Sequence, residues 1–101
     1  MIRHMVLVKF RDDVPEAERS AIYADLRALK GHLAIEAMSF GPNISPEGLG
    51  RGYADGFTMD FRDAAARDAY LADAKHKAAG GRLVAALQGG REGLLVFDIE
   101  V

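Results

Sequence analysis

The stretch Ile2-Arg3-His4-Met5-Val6-Leu7-Val8-Lys9-Phe10 has the composition of a strand that is apolar on both faces. Ile2, His4, Val6, Val8 and Phe10 point one way, and Met5 and Leu7 the other, because successive side chains alternate across a strand. Such a strand belongs in the middle of a sheet that is covered on two sides.

Arg11 to Val14 reads as a turn. Pro15, Glu16 and Glu18 suit the first turn of a helix, where a missing N–H is harmless and acids meet the positive end of the dipole. Ile22, Leu26, Leu29 and Leu33 then recur at helical spacing, and Gly31 marks the C-terminal end. Tyr23, at the edge of that stripe, reads as packing. Ile35 to Phe40 reads as a second strand, ending at Gly41-Pro42. The glycine-rich stretch Asn43 to Gly52 is longer than a tight hairpin turn, so it is either a lid or binding loop or a mobile connection.

Tyr53 to Phe61 has the cleanest period-two pattern in the chain. Tyr53, Asp55, Phe57, Met59 and Phe61 share a face, on which Asp55 is the odd member. As a carboxylate buried by pattern it needs a partner, with His4, Arg51 or a loop amide as candidates. Antiparallel pairing of the first and third strands places His4 and Asp55 towards opposite ends. Asp63 is an N-cap for a helix with Ala66, Ala69 and Tyr70 on its inner face. A further helical run, Lys75 to Gln88, carries Ala79, Leu83, Ala86 and Leu87. It contains Gly80-Gly81, which implies a loosened turn or a close backbone approach. Gly89-Gly90 ends it, and Gly93 to Val101 reads as a last strand with Leu95, Phe97, Ile99 and Val101 on one face.

The order β-α-β-β-α-β predicts a single domain over residues 1–101, an α+β ferredoxin-like sandwich with a four-stranded antiparallel sheet. Helices in that topology cover one sheet face. The other face would expose an apolar patch, which a homodimer pairing two such faces would bury. Thirteen basic and 15 acidic residues are scattered along the chain, giving a net charge of −2 and no basic stripe for nucleic acid. There are no cysteines for disulfides or thiolate chemistry. No apolar run approaches a membrane span of about 20 residues. No signal peptide is expected before Ile2, and the reading is a cytoplasmic protein. Metal and nucleotide sites have no motif to support them, and no cofactor is expected.

Tyr70 and His76 are the candidate catalytic pair. On an unbroken helix, six residues place them about 120° apart, too far round to share a proton. If Asp73 caps a new helix, His76 becomes its third residue, near the positive dipole end, which favours a neutral imidazole. A neutral imidazole can act as general base towards a carbon acid while a tyrosine hydroxyl stabilises the enolate. The alternative is structural: His76 satisfied by Asp73, and Tyr70 a core residue with its hydroxyl at the surface. His32 reads as solvated or paired with a helix end.

Several stretches in order resemble the stress-responsive dimeric α/β-barrel (Dabb) domain family: Ile2 to Phe10, Asn43 to Tyr53 with Ser45-Pro46-Glu47-Gly48-Leu49, Ala69-Tyr70-Leu71 with His76 beyond, and Val96 to Val101. The resemblance implies a homodimer whose sheets form a barrel, with a pocket between each sheet and its own helices for a small hydrophobic or aromatic ligand. A plant branch of the family acts as polyketide cyclases through a tyrosine and a histidine, which fall on Tyr70 and His76, with a further pocket histidine at His4. This chain has Asp55 where that branch has a histidine, Asp73-Ala74-Lys75-His76 where members commonly read His-Pro-x-His, and Ala79 and Gly80 where side chains are often bulkier. His4, Asp55, Phe57 and Ala79 are the expected ligand-binding residues. Three functions follow: a stress-responsive module with a hydrophobic-ligand pocket, a cofactor-free cyclase or lyase using His76 and Tyr70, or a cofactor-independent monooxygenase.

Overall fold

The computed structural model describes residues 1–101. Four strands, β1 (Ile2–Val8), β2 (Ala37–Pro42), β3 (Asp55–Phe61) and β4 (Leu94–Glu100), form one sheet in the order β2-β3-β1-β4. All neighbours are antiparallel. Helices α1 (Glu16–Ala28), α2 (Ala64–Ala72) and α3 (Ala74–Ala85) complete the ferredoxin-like order, with 3₁₀ turns at Leu29–Gly31 and Gly90–Gly93. No helix is long and apolar enough to cross a membrane.

The central strand behaves as its pattern requires. His4, Val6 and Val8 are buried beneath the helices. Ile22 and Leu26 of α1, Met59 and Phe61 of β3, and Tyr70 of α2 close the core around them. Pro15 sits at the α1 N-cap, and its carbonyl accepts from the Glu18 and Arg19 amides. Arg82 of α3 donates to both oxygens of Glu18, at 3.0 and 3.1 Å, and to Asp25 at 2.8 Å, tying α3 to α1.

Two element boundaries differ from the sequence reading. Ile35 is buried ahead of the sheet, and β2 begins at Ala37 and continues through Pro42. An edge strand accommodates the proline because one side of it has no ladder to complete. Helix α3 ends at Ala85, since Gln88 donates its amide to the Lys9 carbonyl at 2.8 Å and Leu87 bridges to Phe10. The helix runs unbroken through Gly80 and Gly81. No packed element crowds them: a Cβ at Gly81 would meet nothing within 4 Å, and one at Gly80 only the His76 Nε2 at 3.9 Å.

The face away from the helices is apolar and open. Leu7, Leu95, Ile99 and Phe97 are 40, 39, 39 and 57% exposed. At the opposite side of that face, Gly41 pairs with Gly56 and leaves a shallow trough beside Leu7. The loop after β2 borders this trough through Asn43, Gly50 and Tyr53, with the Asn43 side chain accepting from the Ser45 amide.

Candidate functional site

A cleft of about 640 Å³ lies between the helix-facing side of β1 and β4 and the helices α2 and α3. Its position follows from topology: β4 is an edge strand that the helices only partly cover, so Val96 remains 53% exposed there. His4, Phe57, Tyr70 and His76 all line the cleft. Asp55 and Ala79 do not.

The convergence of Tyr70 and His76 comes from the end of α2. Asp73 adopts an extended backbone, φ −70° and ψ 136°, and its carboxylate accepts from the amides of Lys75 at 2.8 Å and His76 at 3.0 Å. The same residue therefore ends one helix and caps the next. The redirected chain brings the His76 ring to 4.0 Å from the Tyr70 ring, centroid to centroid, with 40° between their planes. Tyr70 is fully buried and also meets His4 at 5.7 Å and Phe61 at 5.1 Å. The other oxygen of Asp73 lies 2.7 Å from the Nε2 of His32, anchoring the break to the end of the 3₁₀ turn that follows α1. Asp73 thus satisfies the backbone of His76 and leaves the imidazole free.

Burial dominates the electrostatics. The His76 Nδ1 is buried with no hydrogen-bond partner. Loss of solvent lowers its pKa below the ordinary 6.5, against the opposing pull of the Leu71 carbonyl. Burial also raises the Tyr70 pKa, so its hydroxyl keeps its proton throughout the neutral range. No protein group accepts from that hydroxyl. His4, 4% exposed, places Nδ1 2.7 Å from Asp98, whose second oxygen accepts from Arg67 at 3.2 Å. In neutral His4 the carboxylate selects the Nδ1–H tautomer and leaves Nε2 with the lone pair.

Asp55 lies away from this cleft because of its place in the strand. It is the first residue of β3, opposite Val8 and Pro42, whereas His4 pairs with Met59. At the strand end the core face meets solvent, and Asp55 is only half-buried, with no side-chain hydrogen bond. It borders a separate crevice with Phe10, Arg19 and Tyr23. There burial first, and the charge of Asp55 second, push the Tyr23 hydroxyl up to about 12. Ala79 is turned away from this cleft by helical phase. It packs towards Ala28, Leu29 and His32 of the α1 side, because one position along a helix turns the side chain by about 100°. Gly80 and Leu83 face the cleft in its place.

The sequence reading passed over the Asp98 and Arg67 support of His4. Its signal was available: Asp98 shares the inward parity of Leu94 and Val96, and the antiparallel register sets it opposite His4. Residues Gly81, Val84 and Arg91, which shape the far end of the cleft, were likewise passed over as site residues. No group of three or more histidine, aspartate or glutamate side chains is placed to hold a metal ion.

The chain belongs to the stress responsive A/B barrel domain family (Dabb), whose model matches residues 2–101. It is similar to a dimeric ferredoxin-like protein of unknown function from Jannaschia sp. CCS1, at 34% identity over 99% of this chain and 98% of that one, with a TM-score of 0.91. An Arabidopsis thaliana protein is 22% identical over 100% and 95% of the two chains, with a TM-score of 0.90. The hydroxynitrile lyase of Passiflora edulis is 16% identical over 99% and 92%, with a TM-score of 0.87. The last two likenesses concern the fold. No curated protein matches the chain.

The lowered pKa of His76 has a thermodynamic consequence. The unfolded chain takes up a proton on this residue near pH 6.5 and the folded chain resists it, so the contribution to stability is present above that pH and is lost as the pH falls towards the folded value. The urea midpoint of the wild type should therefore fall more steeply from pH 7.5 to 5.5 than that of His76→Phe. Identical slopes would show that the imidazole is not held neutral by burial.

Proposed function

We propose that this family member is a homodimer that holds a small hydrophobic carbonyl compound in the cleft and performs cofactor-free acid–base chemistry on it, with His76 as general base and Tyr70 as hydrogen-bond donor. The observation that carries this reading is the 4.0 Å ring pair at an apolar cleft, with the imidazole neutral and the phenol protonated. A neutral imidazole can take a proton from the carbon next to a carbonyl, and the phenol can donate to the enolate oxygen as charge develops there. The Nε2 of His4, with its ring oriented by Asp98, supplies a further polar group for orienting the ligand.

A second reading, binding without turnover, is favoured by one feature: no hydrogen bond joins Tyr70 to His76. The two readings separate on product formation. With a panel of small hydrophobic aldehydes and ketones, His76→Phe should lower turnover by about 10²- to 10⁴-fold, the usual range for a general base, while ligand-induced thermal stabilisation persists. Turnover unchanged in His76→Phe would remove His76 as the base. Stabilisation of the wild type with no product from any compound would favour the binding-only reading.

Dimerisation through the open sheet faces is supported by the exposed ridge of Leu95, Phe97 and Ile99 and by the Gly41–Gly56 trough on the same face. A twofold axis would set the ridge of each copy over the trough of the other, and relatives of this fold are described as dimeric. Phe97→Glu places a charge in that contact. Sedimentation should show the variant as a folded monomer where the wild type is a dimer; a variant that remains dimeric would move the interface elsewhere.

A further inference from the structure

We propose that the ligand of the cleft is an anionic amphiphile, a hydrophobic carboxylate whose charged end is held by Arg91 and whose reactive carbonyl lies at the His76 end. This rests on the reading of the cleft as a ligand site and names the class of ligand. The lining contains no aspartate or glutamate. Its middle is apolar, formed by Val6, Leu83 and Val96, with Gly80 and Gly81 removing side-chain bulk from the α3 wall.

The charged and reactive groups occupy opposite ends. His76 and Val84 are eight residues apart on α3, about 12 Å along its axis. Arg91 belongs to the Val84 end: a Cβ on the preceding Gly90 would lie 3.9 Å from the Val84 Cγ1. The sheet gives the same separation, since His4 pairs with Asp98 and Val8 with Leu94, four residues or about 13 Å along the strand. Gly89 and Gly90 both adopt positive φ, 67° and 63°, conformations that turn the chain back after α3 and set Arg91 at the cleft.

Arg91 is also free for a ligand. Arg3, Arg11, Arg62, Arg67 and Arg82 pair with carboxylates, Arg19 and Arg27 lie over aromatic rings, and Arg51 stands in the loop before β3, outside the cleft lining. Arg91 makes no side-chain hydrogen bond or ion pair and stands exposed at the rim, where its planar donors can take a carboxylate in two parallel bonds. Lys77, the other cation of the lining, stands beside His76 at the reactive end.

The test is calorimetric titration at low salt with octanoate and with uncharged 1-octanol. Wild-type protein should bind octanoate about tenfold more tightly than octanol. Arg91→Glu should abolish that preference without changing octanol affinity, and Lys77→Glu should retain it. Equal affinities for the two probes in the wild type, a preference that survives Arg91→Glu, or one lost only in Lys77→Glu would overturn the assignment while leaving the cleft as an apolar site. Binding of neither probe would overturn both the assignment and the ligand-site reading beneath it.

Discussion

One carboxylate organises the helical side of this protein. Asp73 accepts two amide protons of α3 through one oxygen and lies against the His32 ring through the other. Capping of this kind satisfies helix-terminal donors that the preceding helix cannot reach, and it stabilises a change of direction that propensity alone would not produce. A continuous helix would carry Tyr70 into the core and turn His76 away from it. The break turns both inward. The position of the imidazole, its loss of solvent and its preference for the neutral form all descend from that one cap.

The core accepts a polar cost at the same place. His76 buries a nitrogen without a partner, and Tyr70 buries an aromatic ring whose hydroxyl has no protein acceptor. A buried nitrogen left unpaired, as in His76, costs about 1–3 kcal/mol. The apolar core that contains Ile22, Leu26, Met59 and Phe61, with Phe61 directly against the tyrosine ring, supplies the opposing burial. A fold that needed only stability could fill these positions with apolar residues. His4 contrasts with the pair, since its ring is held by Asp98, which Arg67 braces in turn, and is fixed in orientation rather than left open. The cleft thus combines one anchored imidazole with one unpaired imidazole beside a protonated phenol.

Most of the architecture was legible because strand parity and helical period survive in the sequence. The doubly apolar Ile2–Val8 strand announced its central position, and Asp73, three residues before His76, announced the break. What was not legible depended on boundaries and phase. Asp55 has inward parity, but parity does not reveal that it begins the strand, where inward no longer means buried. Ala79 and Gly80 differ by one helical step, and that step decides which lines the cleft. The Asp98–His4 contact joins residues at opposite ends of the chain and needed the cross-strand register. The shifted bounds of β2 reflect Ile35 entering the core before the ladder starts, which alternation does not distinguish from a strand residue.

The candidate site depends on the contact between Tyr70 and His76 across the break at Asp73. Nuclear Overhauser spectroscopy of the protein with specifically labelled tyrosine and histidine rings measures it most directly. Strong cross-peaks between the Tyr70 ring protons and the carbon-bound protons of the His76 ring are predicted, as their 4.0 Å centroid separation requires. A His76 ring that shows contacts only to its own helix, with none to Tyr70, would contradict the assembled site.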